Sequence, residues 1–306
     1  MKYLIVGGGA IGSVLACYMT KAEKDVTLLT RGKHLEAIRD NGGLYLHYAP
    51  TDETDLVAVD AVSEEEYDGS PDVVIVTVKA YSLDSIYPLL DRVCRPDTVV
   101  LPLINALDIG ADMVEGMQSP ALIAQGEAYV ACELVEPGRC KHKLDFFRIV
   151  FGPRVGQPNF EAADTIQKDL VECGCTAEVS DDMLQAALMK FARVSALSGA
   201  MVYYRQPLGE IVADPDKTEF LVSLCQELID VADAAGSTFP EDFDAIADLM
   251  NISRSVDPNY RTSLMYDFES GARIESKTMF DDPYELGRSL GLPMTSYGKV
   301  SELFRG

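Results

Sequence analysis

Several things are scarce in this 306-residue chain, and each scarcity removes a class of function. Cations are few: 26 Lys plus Arg stand against 49 Asp plus Glu, for a formal net charge of −23. The acidity runs through both halves, so a nucleic-acid backbone or an anionic membrane surface is repelled at long range. Any anionic ligand therefore needs a local basic pocket. No apolar run reaches the roughly 18 residues of a membrane-spanning helix, and Met1-Lys2-Tyr3-Leu4-Ile5-Val6 leads straight into glycines without the apolar core of a signal peptide. The seven cysteines are odd in number and scattered, unlike a disulfide framework, and are expected to be reduced thiols in a cytoplasmic protein. Cys173-Gly174-Cys175 has no second cysteine pair near it, and His34, His47 and His142 are far apart, so no metal is expected and the two thiols are expected to pack near a strand. Repeats and low-complexity stretches are absent. What remains is ordinary globular composition, 47% hydrophobic and 25% charged. The length suits two domains of about 150 residues each.

The first half reads as alternating strands and helices. Tyr3-Leu4-Ile5-Val6 is a short buried strand, three glycines follow, and residues 10–19 form a mostly apolar helix. Val26-Thr27-Leu28-Leu29 then completes a β-α-β unit with parallel strands and a right-handed crossover. The continuous runs at 73–78 and 99–103 suit parallel strands buried on both faces, with one helix-length segment over 81–93 between them. Residues 121–131 and 146–151 look extended around the turn Glu136-Pro137-Gly138, and are expected to form an antiparallel edge. Helix-spaced apolar residues dominate after Asp181, at 183–200 and 219–234. The expected division is an α/β dinucleotide-binding domain over 1–178 followed by a mostly α-helical domain over 179–306.

Gly7-Gly8-Gly9-Ala10-Ile11-Gly12 fits G-x-G-x-x-G between a strand and a helix. In this motif Gly7 permits the tight turn, Gly9 lets a pyrophosphate approach the backbone, and Gly12 lets helix and strand pack closely. The helix start offers N–H groups and a positive dipole end to phosphate. NAD sites usually carry an acidic residue at the end of the second strand, but this chain has Leu29-Thr30-Arg31-Gly32-Lys33. Arg31 and Lys33 would attract a 2′-phosphate, which favours NADP(H); the alternative is that both are solvated loop charges. Lys190 is the only charge in an apolar helical run over 184–192, where it either serves as a proton donor in a site or lays its stem on the surface with the ammonium in water.

With these residues in view, the chain resembles the ketopantoate reductase family (2-dehydropantoate 2-reductase) over nearly its whole length. The similar features are the turn at 7–12, Val78-Lys79-Ala80 at a strand end, the Asn105 turn, the Lys190 helix, and the 263–275 segment with Asp267 inside it. The resemblance implies a Rossmann-type domain followed by a helical one. It also implies hydride transfer from NADPH to the ketone of a small 2-oxo acid in the cleft between them, as in pantothenate biosynthesis. It makes Lys190 the general acid and Glu275, eight residues past Asp267, the carboxylate that pairs with it. Ser263 becomes a substrate-binding serine, and Lys79 and Asn105 lie near both substrate and cofactor. A homodimer is one assembly open to such a protein.

The same comparison exposes departures. Ala106 replaces the glycine of the family's Asn-Gly turn. Val194 and Ser198 stand where asparagines usually lie four and eight residues after the lysine, so Ser198 is the one substrate-binding side chain expected on that stretch. Ser195 or Ser263 would have to replace the missing bonds. Thr278-Met279-Phe280-Asp281-Asp282 lacks an Asn-Gly turn, and Pro293-Met294-Thr295 lacks a Pro-Asn. Ketopantoate is the default substrate that the resemblance names, and these changes open two alternatives, a less polar 2-oxo acid or an NADP(H)-binding sensor that has lost turnover.

Overall fold

A computed structural model describes residues 1–154 and 160–305. The chain divides into two compact units, Met1–Ile104 with Asp108–Met183, and Asn105–Leu107 with Leu184–Gly306.

The first unit runs β1 (Lys2–Val6), α1 (Ala10–Lys21), β2 (Asp25–Leu29), α2 (Gly32–Asn41), β3 (Leu44–Tyr48), β4 (Glu53–Val57), β5 (Asp60–Val62) and β6 (Val73–Val76). A 3-10 segment Ala80–Ser85 follows, then α3 (Tyr87–Val93), β7 (Val99–Pro102), α4 (Ile109–Gly116), β8 (Leu122–Glu136), β9 (Arg139–Pro153), α5 (Ala163–Glu172) and β10 (Thr176–Val179). The sheet order is β5-β2-β1-β6-β7-β8-β9-β3-β4, with β10 also on β9. From β5 through β7 every neighbouring pair is parallel. The Val/Ile-rich strands β6 and β7 are buried at every position, as expected where helices cover both faces. Between β1 and β6 the strand order reverses direction, and at such a switch point the loops after the strands diverge and leave a crevice at their carboxyl ends.

Three expectations need correction. The β8–β9 pair is an antiparallel hairpin but not an edge, because β9 is flanked beyond β8 by β3 over Arg139–His142 and by β10 over Arg148–Phe151. The flanking strands escaped notice because β3 is short and only partly buried and β10 is a four-residue strand with no fully buried position. The 81–93 segment is not one helix: the 3-10 segment ends at Ser85, and α3 starts afresh with Pro88 in its first turn, a position where the missing N–H costs nothing. The boundary at 178/179 cuts through β10, and the break between units falls after Met183 instead. Cys173 and Cys175 lie in the core of the sheet unit. Burial pushes their thiols up to about 11 and about 12, keeping both protonated.

The second unit is helical: α6 (Met183–Tyr204, its first residue in the sheet unit), α7 (Leu208–Val212), α8 (Pro215–Ala235), α9 (Ala245–Ser255), α10 (Ser263–Glu269), a π-helical turn Lys277–Asp281, α11 (Asp282–Ser289) and α12 (Thr295–Glu302). Local signals set the ends of α8: Asp214 caps the Asp216 and Lys217 N–H groups, Pro215 takes the first position, and Gly236 closes the helix at φ +77. The helix α6 is the hub of this unit, with Leu188, Phe191, Ala196, Ala200 and Met201 buried in its core. Among the described residues no helix is long and apolar enough to cross a membrane.

Candidate functional site

At two positions of the glycine turn, Gly7 and Gly12, the structure shows why no side chain is carried. Gly7 has φ +119, a conformation costly for other residues, and its carbonyl accepts the Thr77 hydroxyl proton at 2.8 Å. A Cβ on Gly12 would lie 2.0 Å from that same carbonyl, so only glycine lets α1 lie this close to β1. A Cβ on Gly9 would meet nothing within 4 Å, and Gly9 caps α1 without any side-chain bond. The first N–H groups of α1, from Ala10 and Ile11 onward, thus point out of the helix end beside exposed backbone, the geometry that takes a phosphate. Arg31 and Lys33 are exposed at the end of β2 and the start of α2, and among the described residues neither has an ion pair or a side-chain hydrogen bond. This donor set fits a phosphorylated dinucleotide. Lys79 follows β6, half-buried, at the carboxyl edge of the sheet.

In the second unit the structure brings Lys190 and Asn105 together. Lys190 is 5% exposed on α6, and its ammonium donates to Asn105 Oδ1 at 2.7 Å. A buried ammonium is costly unless hydrogen-bonded, and the Asn105 carbonyl meets that need while aiming Nζ. Lys190, Val194 and Ser198 follow at helical spacing on one side of α6. Val194 is half-buried against the helical core. Ser198 is 1% exposed and donates to Thr262 Oγ1 at 3.0 Å, and Thr262 caps α10 by accepting from the Met265 N–H. Ser263, exposed, is therefore the first residue of a helix whose cap is tied to Ser198. Ser195 cannot stand in for a lost asparagine. It is fully buried, donates to the Met279 carbonyl at 2.6 Å, and accepts from Tyr297 at 2.8 Å. Those bonds hold the π turn, whose Met279 N–H bonds back to the carbonyl of half-buried Glu275. Burial raises the Tyr297 phenol far above its ordinary value, so it remains a donor.

Sequence reasoning passed over one residue of this kind. Glu127 is fully buried on β8, opposite Val150 of β9, and shares its strand face with buried Gln125, which accepts the Gly110 N–H at the start of α4. A carboxylate inside a sheet is costly to keep and marks a candidate functional position. The available signal was an acidic residue within the extended stretch 121–131.

Comparison with known proteins gives this geometry its class. The family model described as ketopantoate reductase PanE/ApbA matches residues 3–156, and its C-terminal companion matches 182–306. A 2-dehydropantoate 2-reductase of Mesorhizobium japonicum is 29% identical across all of this chain and 97% of its own length. The 2-dehydropantoate 2-reductase of Geobacter metallireducens superposes with TM-score 0.88 at 24% identity, covering 99% of this chain and 98% of that one. A D-mandelate dehydrogenase, in a ternary structure with NADH and anilino(oxo)acetate, superposes with TM-score 0.85 at 19% identity over 99% of this chain and 97% of its own. The fold and turn define an α/β dinucleotide-dependent oxidoreductase. The chain belongs to the ketopantoate reductase family, whose members use NADPH to reduce a ketone.

Proposed function

We propose that this chain reduces the ketone of a small 2-oxo acid with NADPH, and that Lys190 is the proton donor. The observation that carries the reading is the Lys190 ammonium, buried on α6 and held by Asn105. Bound NADPH supplies the hydride. Gly9 and the start of α1 hold its pyrophosphate, Arg31 and Lys33 its 2′-phosphate, and Lys79 lies on the cofactor side at the end of β6. As the carbonyl oxygen gains charge, Lys190 gives it a proton from Nζ and later recovers one from water. Glu275 orients the ammonium, Ser263 binds the substrate carboxylate end, and Ser198 acts through Thr262 by fixing the head of α10.

The substrate is less polar than ketopantoate. Val194 offers no hydrogen bond, and the Ser195 and Ser198 protons are committed to Met279 and Thr262. A site lacking a partner for a substrate hydroxyl gains nothing from that hydroxyl and makes it lose water. The anilino(oxo)acetate bound by the D-mandelate dehydrogenase is a 2-oxo acid derivative with an aromatic end, so this fold admits such ligands. Steady-state NADPH oxidation with a panel of 2-oxo acids tests the reading. Turnover of at least one branched or aromatic 2-oxo acid supports it. Tight NADPH binding with no turnover of any member would identify a cofactor-binding sensor instead.

A further inference from the structure

Away from the reacting end, His34 joins three segments of the sheet unit. It lies in the first turn of α2, 8% exposed, one residue after Lys33. Its Nδ1 accepts the Gly138 N–H at 3.0 Å from the β8–β9 turn, which leaves Nε2 to carry the ring proton. Nε2 lies 3.1 Å from Ser13 Oγ on α1, and Ser13 donates onward to the Gly8 carbonyl at 3.2 Å. The chain of donors thus runs from Gly138 through His34 and Ser13 into the glycine turn. Burial lowers the His34 pKa, with no charged neighbour contributing, and this agrees with a neutral ring.

The packing around this relay is close on both sides. A Cβ on Gly8 would lie 2.1 Å from Thr30 Oγ1 and 3.0 Å from His34 Cδ2, so the end of β2 and the start of α2 lie directly against the turn. On the other side a Cβ on Gly138, at φ +79, would lie 2.7 Å from Asn41 Nδ2 and 3.0 Å from Ala37 Cβ. The helix α2 thus packs on both sides, its start against the glycine turn and Ala37 and Asn41 against the β8–β9 turn, with His34 bonding to both. Arg31 and Lys33 stand at the start of that helix, and among the described residues neither has an ion pair or a side-chain hydrogen bond.

We infer that His34, through Ser13, is a positioning residue for nucleotide choice: it sets the spacing between the pyrophosphate turn and the Arg31–Lys33 pair. The inference rests on the NADPH reading above. It predicts a selective effect, because loosening α2 disturbs the 2′-phosphate contacts and leaves the glycine backbone in place. His34→Asn keeps an acceptor for Gly138 but is too short for Ser13, and Ser13→Ala removes the same link from the other end. Calorimetric titration of the full chain and both variants with NADP⁺ and with NAD⁺ tests it, alongside thermal melts. Each variant should bind NADP⁺ about 3- to 10-fold more weakly and NAD⁺ within twofold of the parent, the size expected for one hydrogen bond. The double variant should be no worse than the weaker single. Equal losses for both nucleotides, or a lowered Tm with unchanged NADP⁺ affinity, would overturn the inference and leave the NADPH reading intact. A parent chain that binds neither nucleotide would overturn both.

Discussion

The dinucleotide turn and the Lys190 helix use their polar groups in opposite ways. At the turn the functional groups face outward: the Gly9 backbone is exposed, α1 starts without a side-chain cap, and Arg31 and Lys33 extend without partners among the described residues. On α6 the hydroxyls bond within the fold, Ser195 to Met279 and Tyr297 and Ser198 to Thr262. The Lys190 ammonium is the charge this helix keeps buried, and Asn105 holds it. A site made of backbone and glycine depends on few side-chain identities. A site made of side chains on a packed helix changes its specificity whenever one of them is exchanged. Under the proposed function, that contrast is what would let a chain of this family keep its cofactor turn while the side chains along α6 differ.

The largest expected effect breaks the helix half alone. Lys190→Ala should lower turnover by roughly 10² to 10⁴ while NADPH affinity stays within about twofold, since general acid catalysis contributes on that scale. Stopped-flow turnover with a parallel calorimetric titration checks it, and near-normal turnover would move the proton donor elsewhere. Arg31→Ala breaks the other half. A charge-assisted contact contributes about 1.5–3 kcal/mol, so NADPH should bind roughly 10- to 150-fold more weakly with little change for NADH. Equal losses for the two nucleotides would show that Arg31 does not meet the 2′-phosphate.

Ser198→Ala sharpens the comparison from the stability side. Losing its bond to the α10 cap should cost about 0.5–1.5 kcal/mol in denaturant unfolding, with kcat/KM changed by less than threefold. A large rise in KM at unchanged stability would instead place Ser198 directly on the substrate. The smallest effect concerns pH. His34 has a folded pKa below its ordinary value because of burial, so the unfolded chain takes up the proton first as pH falls. Its contribution to stability is full above about pH 6.5, declines as pH drops from there toward the depressed folded value, and is flat below that. Melting temperature against pH should show this slope in the parent chain and a reduced one in His34→Asn.

The parts legible in the sequence are those that local chemistry specifies. Gly7 and Gly12 are required by a positive φ and a backbone contact close to the glycines in sequence, and the buried strands announce themselves as Val/Ile runs. The Lys190 position was legible as the one charge in the apolar run over 184–192. What stayed hidden depends on partners distant in sequence. Asn105 and Lys190 are 85 residues apart, and His34 and Gly138 are 104 apart. Ser195 looked available because its bond to Met279, 84 residues on, leaves no mark on the sequence around it. The strands that flank β9, β3 and β10, are short and carry no long apolar run, so the β8–β9 pair reads as an edge in the sequence.

The account is tested most directly by kcat/KM at saturating NADPH for ketopantoate and for a branched apolar 2-oxo acid of similar size, measured side by side on the unmodified chain. Two missing hydrogen bonds to a polar substrate should separate the two by roughly 5- to 150-fold in favour of the apolar acid, and Val194→Asn should narrow that gap. Efficient reduction of ketopantoate in preference to the apolar acid would contradict the account.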